Sequence, residues 1–139
     1  MQLWTEDGET FWISHDAYPD CQVLALVVDC SWKNPAGDNS GWQGGIETIL
    51  SLDPEVILLT AWPFDQTDAV LARLSNDPLW GELQAVKAGR VLTAQSPTAW
   101  STDSVAGFSG YLDNTLTLIF PETFPAPLTD AEVAAAQGN

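Results

Sequence analysis

His15 is the only histidine in the chain, and it stands between Ser14 and Asp16, the three residue types of a hydrolytic triad. Immediate neighbours along a chain cannot place nucleophile, base and orienting carboxylate in line, so this spelling carries no acyl-transfer chemistry. His15 then reads either as a ligand contact or as a surface or capping residue of the loop 14–20, which also holds Tyr18. Cys21 and Cys30 lack metal-type spacing, and no metal site is expected. Their default reading is a pair of buried or free thiols, with a disulfide as the alternative in an oxidising compartment. There is no nucleophile elbow and no Gly-rich phosphate loop, so an enzyme is the weakest of the function classes.

The remaining candidates are aromatic. Of seven tryptophans, Trp4 and Trp12 lie on early strand-like segments and Trp80 sits between apolar neighbours, so all three read as packing. Trp42, Trp62 and Trp100 fall in loops. Large rigid aromatics with a polar edge suit a bulky, partly apolar ligand. The formal net charge of -15, with Lys33, Arg73, Lys87 and Arg90 as the only permanent cations, disfavours nucleic acid and anionic membrane surfaces. The same acidity reads equally well as solubility.

A chain of 139 residues, 45% hydrophobic, fits one compact domain with a real core. No apolar run is long enough to span a bilayer. The opening MQLWTEDGET lacks the basic and apolar regions of a signal peptide.

Strand-like segments at Gln2–Trp4 and Thr10–Ile13 flank a turn signal, Glu6-Asp7-Gly8-Glu9. CQVLALVVDC is compatible with either strand or helix, because its valines favour one and their spacing the other. Ser31–Gly45 reads as a long polar loop, a length that usually signals function or mobility. A helix over Ile46–Leu52 ends at Asp53-Pro54, and EVILLT reads as a strand buried on both faces. Asp65 or Thr67 is placed to cap a helix carrying Val70, Leu71 and Leu74. Pro78 opens a short helical segment, Arg90–Thr93 is a further strand, and Val105, Phe108, Leu112, Leu116 and Ile119 mark a long amphipathic helix closed by Pro121. Thr129 and Glu132 match a capping box in the tail.

Alternating strands and helices predict an α/β three-layer sandwich with a mostly parallel sheet. In such sheets the loops leaving the carboxyl ends of strands form the ligand face. His15, Tyr18, Trp62 and Trp100 each follow a predicted strand and are expected on one edge, with Trp42 reaching it from its loop. Lys87 and Arg90 precede a strand and are expected at the opposite end.

The run G-I-E-T-I-L-S-L-D-P-E-V-I-L-L resembles the "S-x-E-x-L-x-x-L-D-P-D-V-I" segment of class III periplasmic binding proteins, which serve ABC importers of ferric siderophores, haem and cobalamin. P-L-W-G-E-L-Q-A-V-K-A-G-R-V is similar to that family's "P-x-W-x-x-L-x-A-V-K-x-G-R-V". Trp100 followed by L-D-N-T-L resembles its closing helix, and the blocks keep the family's order. The resemblance implies a C-terminal lobe, half of a two-lobed clamshell, over residues 1–121; 122–139 is then a tail, where the capping box allows a short helix. It tips CQVLALVV towards helix and implies a periplasmic location.

By the same resemblance Glu47 matches the glutamate that docks on the ABC permease. The bare alternative is an ordinary first-turn helix glutamate, stabilised by the helix dipole. Trp42, Trp62, Trp100, Tyr18 and His15 are the candidate ligand contacts. No cofactor is implied beyond the cargo, an iron–siderophore or cobalamin-like complex, and the membrane is met only through the permease. With few cations near the ligand loops, a neutral cargo such as a hydroxamate siderophore or cobalamin fits better than a polyanion. The competing class is an orphan lobe acting as a small interaction protein, whose exposed aromatic face would invite association.

Overall fold

The computed structural model describes residues 1–38, 40–93 and 105–124. They belong to two compact units, Met1–Gln95 and Ser96–Asn139. The first unit is built on a five-stranded sheet of order β3-β2-β1-β4-β5. Its strands are β1 (Gln2–Thr5), β2 (Phe11–Ile13), β3 (Trp42–Gly44), β4 (Ile57–Ala61) and β5 (Val91–Thr93). β1 pairs parallel with β4 and β4 with β5, whereas β2 is antiparallel to both β1 and β3. Four strands therefore point one way and β2 alone is reversed. This is the expected α/β class with a mixed, mostly parallel sheet.

One face of the sheet carries the core. Leu3, Phe11, Ile13, Trp42, Ile57, Leu59 and Ala61 pack with Ile49, Val70, Leu74, Trp80, Leu83 and Ala85 in a single cluster. The helical residues come from α2 (Ile46–Leu52), α3 (Thr67–Leu74), α4 (Pro78–Glu82), α5 (Gln84–Lys87) and the link between the last two. Phe11 and Trp80 stack at 6.4 Å. Alternation along the strands sends Trp4 and Trp12 to the other face, where the register lines up Gln43, Trp12, Trp4 and Thr60 across four strands. A Cβ on Gly41 would lie 2.1 Å from the Trp12 ring, so only glycine admits that indole.

Punctuation places the helix ends. Asp53 closes α2 in the left-handed region (φ 38) before Pro54, and its carboxylate accepts from the Gln84 N–H at 2.9 Å. Asp77 caps α4 by accepting from the Leu79 N–H, with Pro78 at the first turn. Neither Asp65 nor Thr67 caps α3. A 3-10 turn (Phe64–Gln66) intervenes, and the Thr67 hydroxyl instead accepts from the Ala61 N–H and donates to the Phe64 carbonyl.

The ambiguous cysteine segment begins as a helix, α1 (Pro19–Leu24), and continues in turns. Cys21 and Cys30 form a disulfide with a Cα–Cα distance of 5.5 Å, correcting the expectation of two thiols. The physical reason is the reversal after α1, which returns the chain to its own first turn. Between the cysteines, Leu26 is left 80% exposed.

In the second unit α6 (Val105–Ile119) is the expected long helix, with Tyr111, Thr115, Leu116 and Ile119 buried. Trp100, the Thr129–Glu132 capping box and most of the 122–139 tail lie outside the described residues.

Candidate functional site

The direction of β2 divides the candidate residues between two sheet edges. At the carboxyl ends of β1 and β4, the Trp62 N–H donates to the Thr5 carbonyl at 2.8 Å. At the opposite edge the Ser14 N–H donates to Gln2, and Ile57 to Arg90. Because β2 runs backwards, its exit delivers His15 and Tyr18 to the amino edge of β1. β3 begins at that same edge, with Trp42 opposite Ile13. The expected single cluster is therefore corrected: His15, Tyr18 and Trp42 share the amino edge, while Trp62 stands on the carboxyl edge. Arg90 is at the amino edge, as its place before β5 required.

At the amino edge most polar groups are satisfied internally, although the buried Trp32 indole N–H, on the residue whose carbonyl accepts from Asp16, has no partner among the described residues. His15 is 1% exposed and meets Tyr18 edge-on, with ring centroids 4.5 Å apart. Its Nδ1 accepts from the Ala17 N–H and its Nε2 lies 3.2 Å from the Ser40 carbonyl. The same carbonyl accepts from Asn34 Nδ2 at 2.9 Å, and Asn34 Oδ1 accepts from the Ala36 N–H. The long polar loop is thus organised in part around a buried asparagine. Trp42 is not in that loop at all; it is 7% exposed, on β3, inside the core. Lys33 pairs with Asp16 at 2.7 Å, holding the Asp16 carboxyl below its ordinary range.

The carboxyl edge presents aromatic surface. Trp62 is 49% exposed, and Phe64 meets its ring edge-on at 5.1 Å across the cis Trp62–Pro63 bond and Pro63 itself. Beside it the β1–β2 turn is tightly bonded. The Thr5 hydroxyl donates to the Thr10 carbonyl at 2.7 Å and accepts from the Gly8 N–H. Asp7 Oδ1 accepts from the Thr10 and Glu9 N–H groups, which hold its carboxyl below the usual range. Gly8 adopts φ +74, a conformation that suits glycine there. The Arg73 guanidinium reaches from α3 to the Asp7 carbonyl. Arg73 is therefore tied to this edge, which its position on a helix did not reveal. Glu47 is exposed in the first turn of α2, next to Gly45, whose added Cβ would approach both the Glu47 carboxylate and the Glu9 carbonyl.

Phe64 and Arg73 were missed as site residues. An aromatic two places after Trp62 was a readable signal, whereas a contact spanning 66 positions was not. Among the described residues, no group of three or more His, Cys, Asp or Glu is arranged to hold a metal ion.

No protein-family profile matches the sequence, and no curated protein matches it. Solved structures do match. A periplasmic binding protein from Veillonella parvula superposes with a TM-score of 0.68 at 15% identity, over 93% of this chain and 40% of that one. An ABC transporter substrate-binding protein from Listeria monocytogenes gives 0.69 at 14% identity, over 86% of this chain and 46% of that one. The fold is shared with periplasmic substrate-binding proteins. The triscatecholate siderophore binding protein FeuA from Bacillus subtilis, solved with ferri-bacillibactin, gives 0.53 at 18% identity, over 67% of this chain and 34% of that one. The chain thus spans less than half the length of these neighbours.

Proposed function

We propose that this chain is the C-terminal lobe of an ABC-importer substrate-binding protein, of the class III type, for a ferric siderophore or a similar iron or corrin complex. The observation that carries the reading is the half-exposed Trp62, braced by Phe64, on the carboxyl edge of the α/β sheet. Such edges collect ligands in open α/β folds, and a braced aromatic offers area with little entropy to lose. The ligand set narrows to Trp62, with Trp100 retained because it follows β5 in sequence; His15, Tyr18 and Trp42 face the wrong edge. The role is capture and delivery rather than catalysis, with the cargo bringing its own metal ligands.

Glu47 is the permease-docking residue in this reading, an exposed carboxylate available to a basic partner. The Cys21–Cys30 disulfide supports an oxidising, extracytoplasmic location.

The test is titration of the chain with a ferric trihydroxamate, ferric citrate and cobalamin while tryptophan emission is followed, repeated with Trp62→Ala. Saturable quenching by at least one, lost in the variant, is expected. No quenching by any of the three sinks the ligand-capture reading. In a reconstituted importer, Glu47→Ala is expected to lower uptake without changing ligand affinity.

A further inference from the structure

We infer that the Trp62–Phe64 edge selects a cargo carrying net positive charge over a neutral or anionic one of the same size. This rests on the ligand-capture reading of that edge and replaces its preference for a neutral cargo. The aromatic pair supplies the contact surface: Trp62 stays 49% exposed while Phe64 braces it edge-on. A tryptophan face attracts cations through its quadrupole, at a distance of about 6 Å or less from the ring centre.

The charges around the pair have one sign. Glu6 and Asp7 follow Thr5, whose carbonyl binds the Trp62 N–H, Glu9 lies on the same turn, and Asp65 follows Phe64. Glu6, Glu9 and Asp65 are exposed and form no ion pair among the described residues. Every cation of the chain is accounted for. Lys33 is paired with Asp16 at the amino edge, Lys87 is paired with Glu82 on the neighbouring helix, and Arg90 precedes β5 at the amino edge. Only Arg73 reaches the β1–β2 turn, where its guanidinium is spent on the Asp7 carbonyl. An anionic complex would meet four carboxylates with one engaged guanidinium to offset them. A cationic complex finds a half-exposed indole and unpaired carboxylates, the charge complementarity that steers association and discriminates between ligands.

The experiment compares two ferric trihydroxamates that differ in one group, a free ammonium or its N-acetylated neutral form, with a ferric tricatecholate as the anion. Binding to the full chain is measured by calorimetry at low and high salt. The ammonium form is expected to bind about tenfold tighter than the neutral form at low salt, with the gap closing as salt screens it. Glu6→Gln with Asp65→Asn is expected to remove the gap while the neutral form still binds. Equal affinity for both forms, or tighter binding of the tricatecholate, overturns the charge preference and leaves ligand capture standing. Binding of none of the three overturns both.

Discussion

The backbone N–H of Trp62 donates to the carbonyl of Thr5 at 2.8 Å, just past the last register pair of β1 and β4, Thr5 with Ala61. The candidate aromatic is therefore held by the sheet itself rather than by a loop. Its backbone is fixed by ladder bonding, while its side chain remains at the surface.

That separation predicts a variant that changes binding without changing the fold. Trp62→Ala is expected to shift unfolding stability by no more than about 0.5 kcal/mol, as for an exposed side chain. It is expected to weaken binding of a cargo that quenches the wild type by roughly tenfold. Urea unfolding and fluorescence titration of the same preparation check both. A loss of stability of several kcal/mol would mean that Trp62 is a packing residue.

Trp42 should behave in the opposite way. Buried on β3 within the main cluster, Trp42→Ala is expected to cost about 3–5 kcal/mol. The midpoint of urea unfolding reports it, and a near-neutral result would contradict its place in the core.

Closing a loop with a sequence separation of 9, the Cys21–Cys30 bridge is expected to contribute about 2–3 kcal/mol by restricting the unfolded chain. Unfolding of the double Cys→Ser variant against the oxidised wild type measures this. A thiol assay of the unreduced, denatured protein should find no reactive sulfhydryl; two would refute the bridge.

Asp7 makes stability depend on pH in a defined direction. Its carboxyl titrates below the ordinary 3.8, chiefly because the Thr10 and then the Glu9 N–H groups bind its charged form. A group depressed in the folded state contributes stability above its unfolded value, and the contribution is lost as pH falls through the folded value. The stability gap between wild type and Asp7→Asn should therefore be constant near neutrality and shrink below about pH 4. A gap that does not change with pH would place its origin elsewhere.

Gly41→Ala is expected to destabilise by about 1–3 kcal/mol, since the new methyl group would fall on the Trp12 ring. In a Trp12→Ala background the same change should be close to neutral. Additive effects in the cycle would show that the two positions do not meet.

Much of the architecture was legible because it is written locally. Apolar spacing gave α2, α3 and α6, and Asp53-Pro54 and Asp77-Pro78 marked breaks that the structure keeps. The assignment of residues to an edge was not legible in the same way. The Glu6–Glu9 turn signal separated two strand-like segments without giving their relative direction, and the carboxyl-edge rule applied to His15 fails because β2 returns antiparallel to β1. Trp42 looked like a loop residue because β3 is three residues long and exists through pairing with β2, which no short-range pattern reveals. The disulfide and the Arg73–Asp7 contact depend on where the chain returns, so they too become visible only in three dimensions.

Among the described residues β3 and β5 are the outermost strands of the sheet, and each spans three of them. An outer strand that short exposes only a brief row of unpaired N–H and C=O groups, too few to template a neighbouring chain. With a net charge of -15 keeping copies apart, the sheet is guarded against edge-to-edge growth. The exposed Trp62–Phe64 surface can then be carried without inviting fibrils.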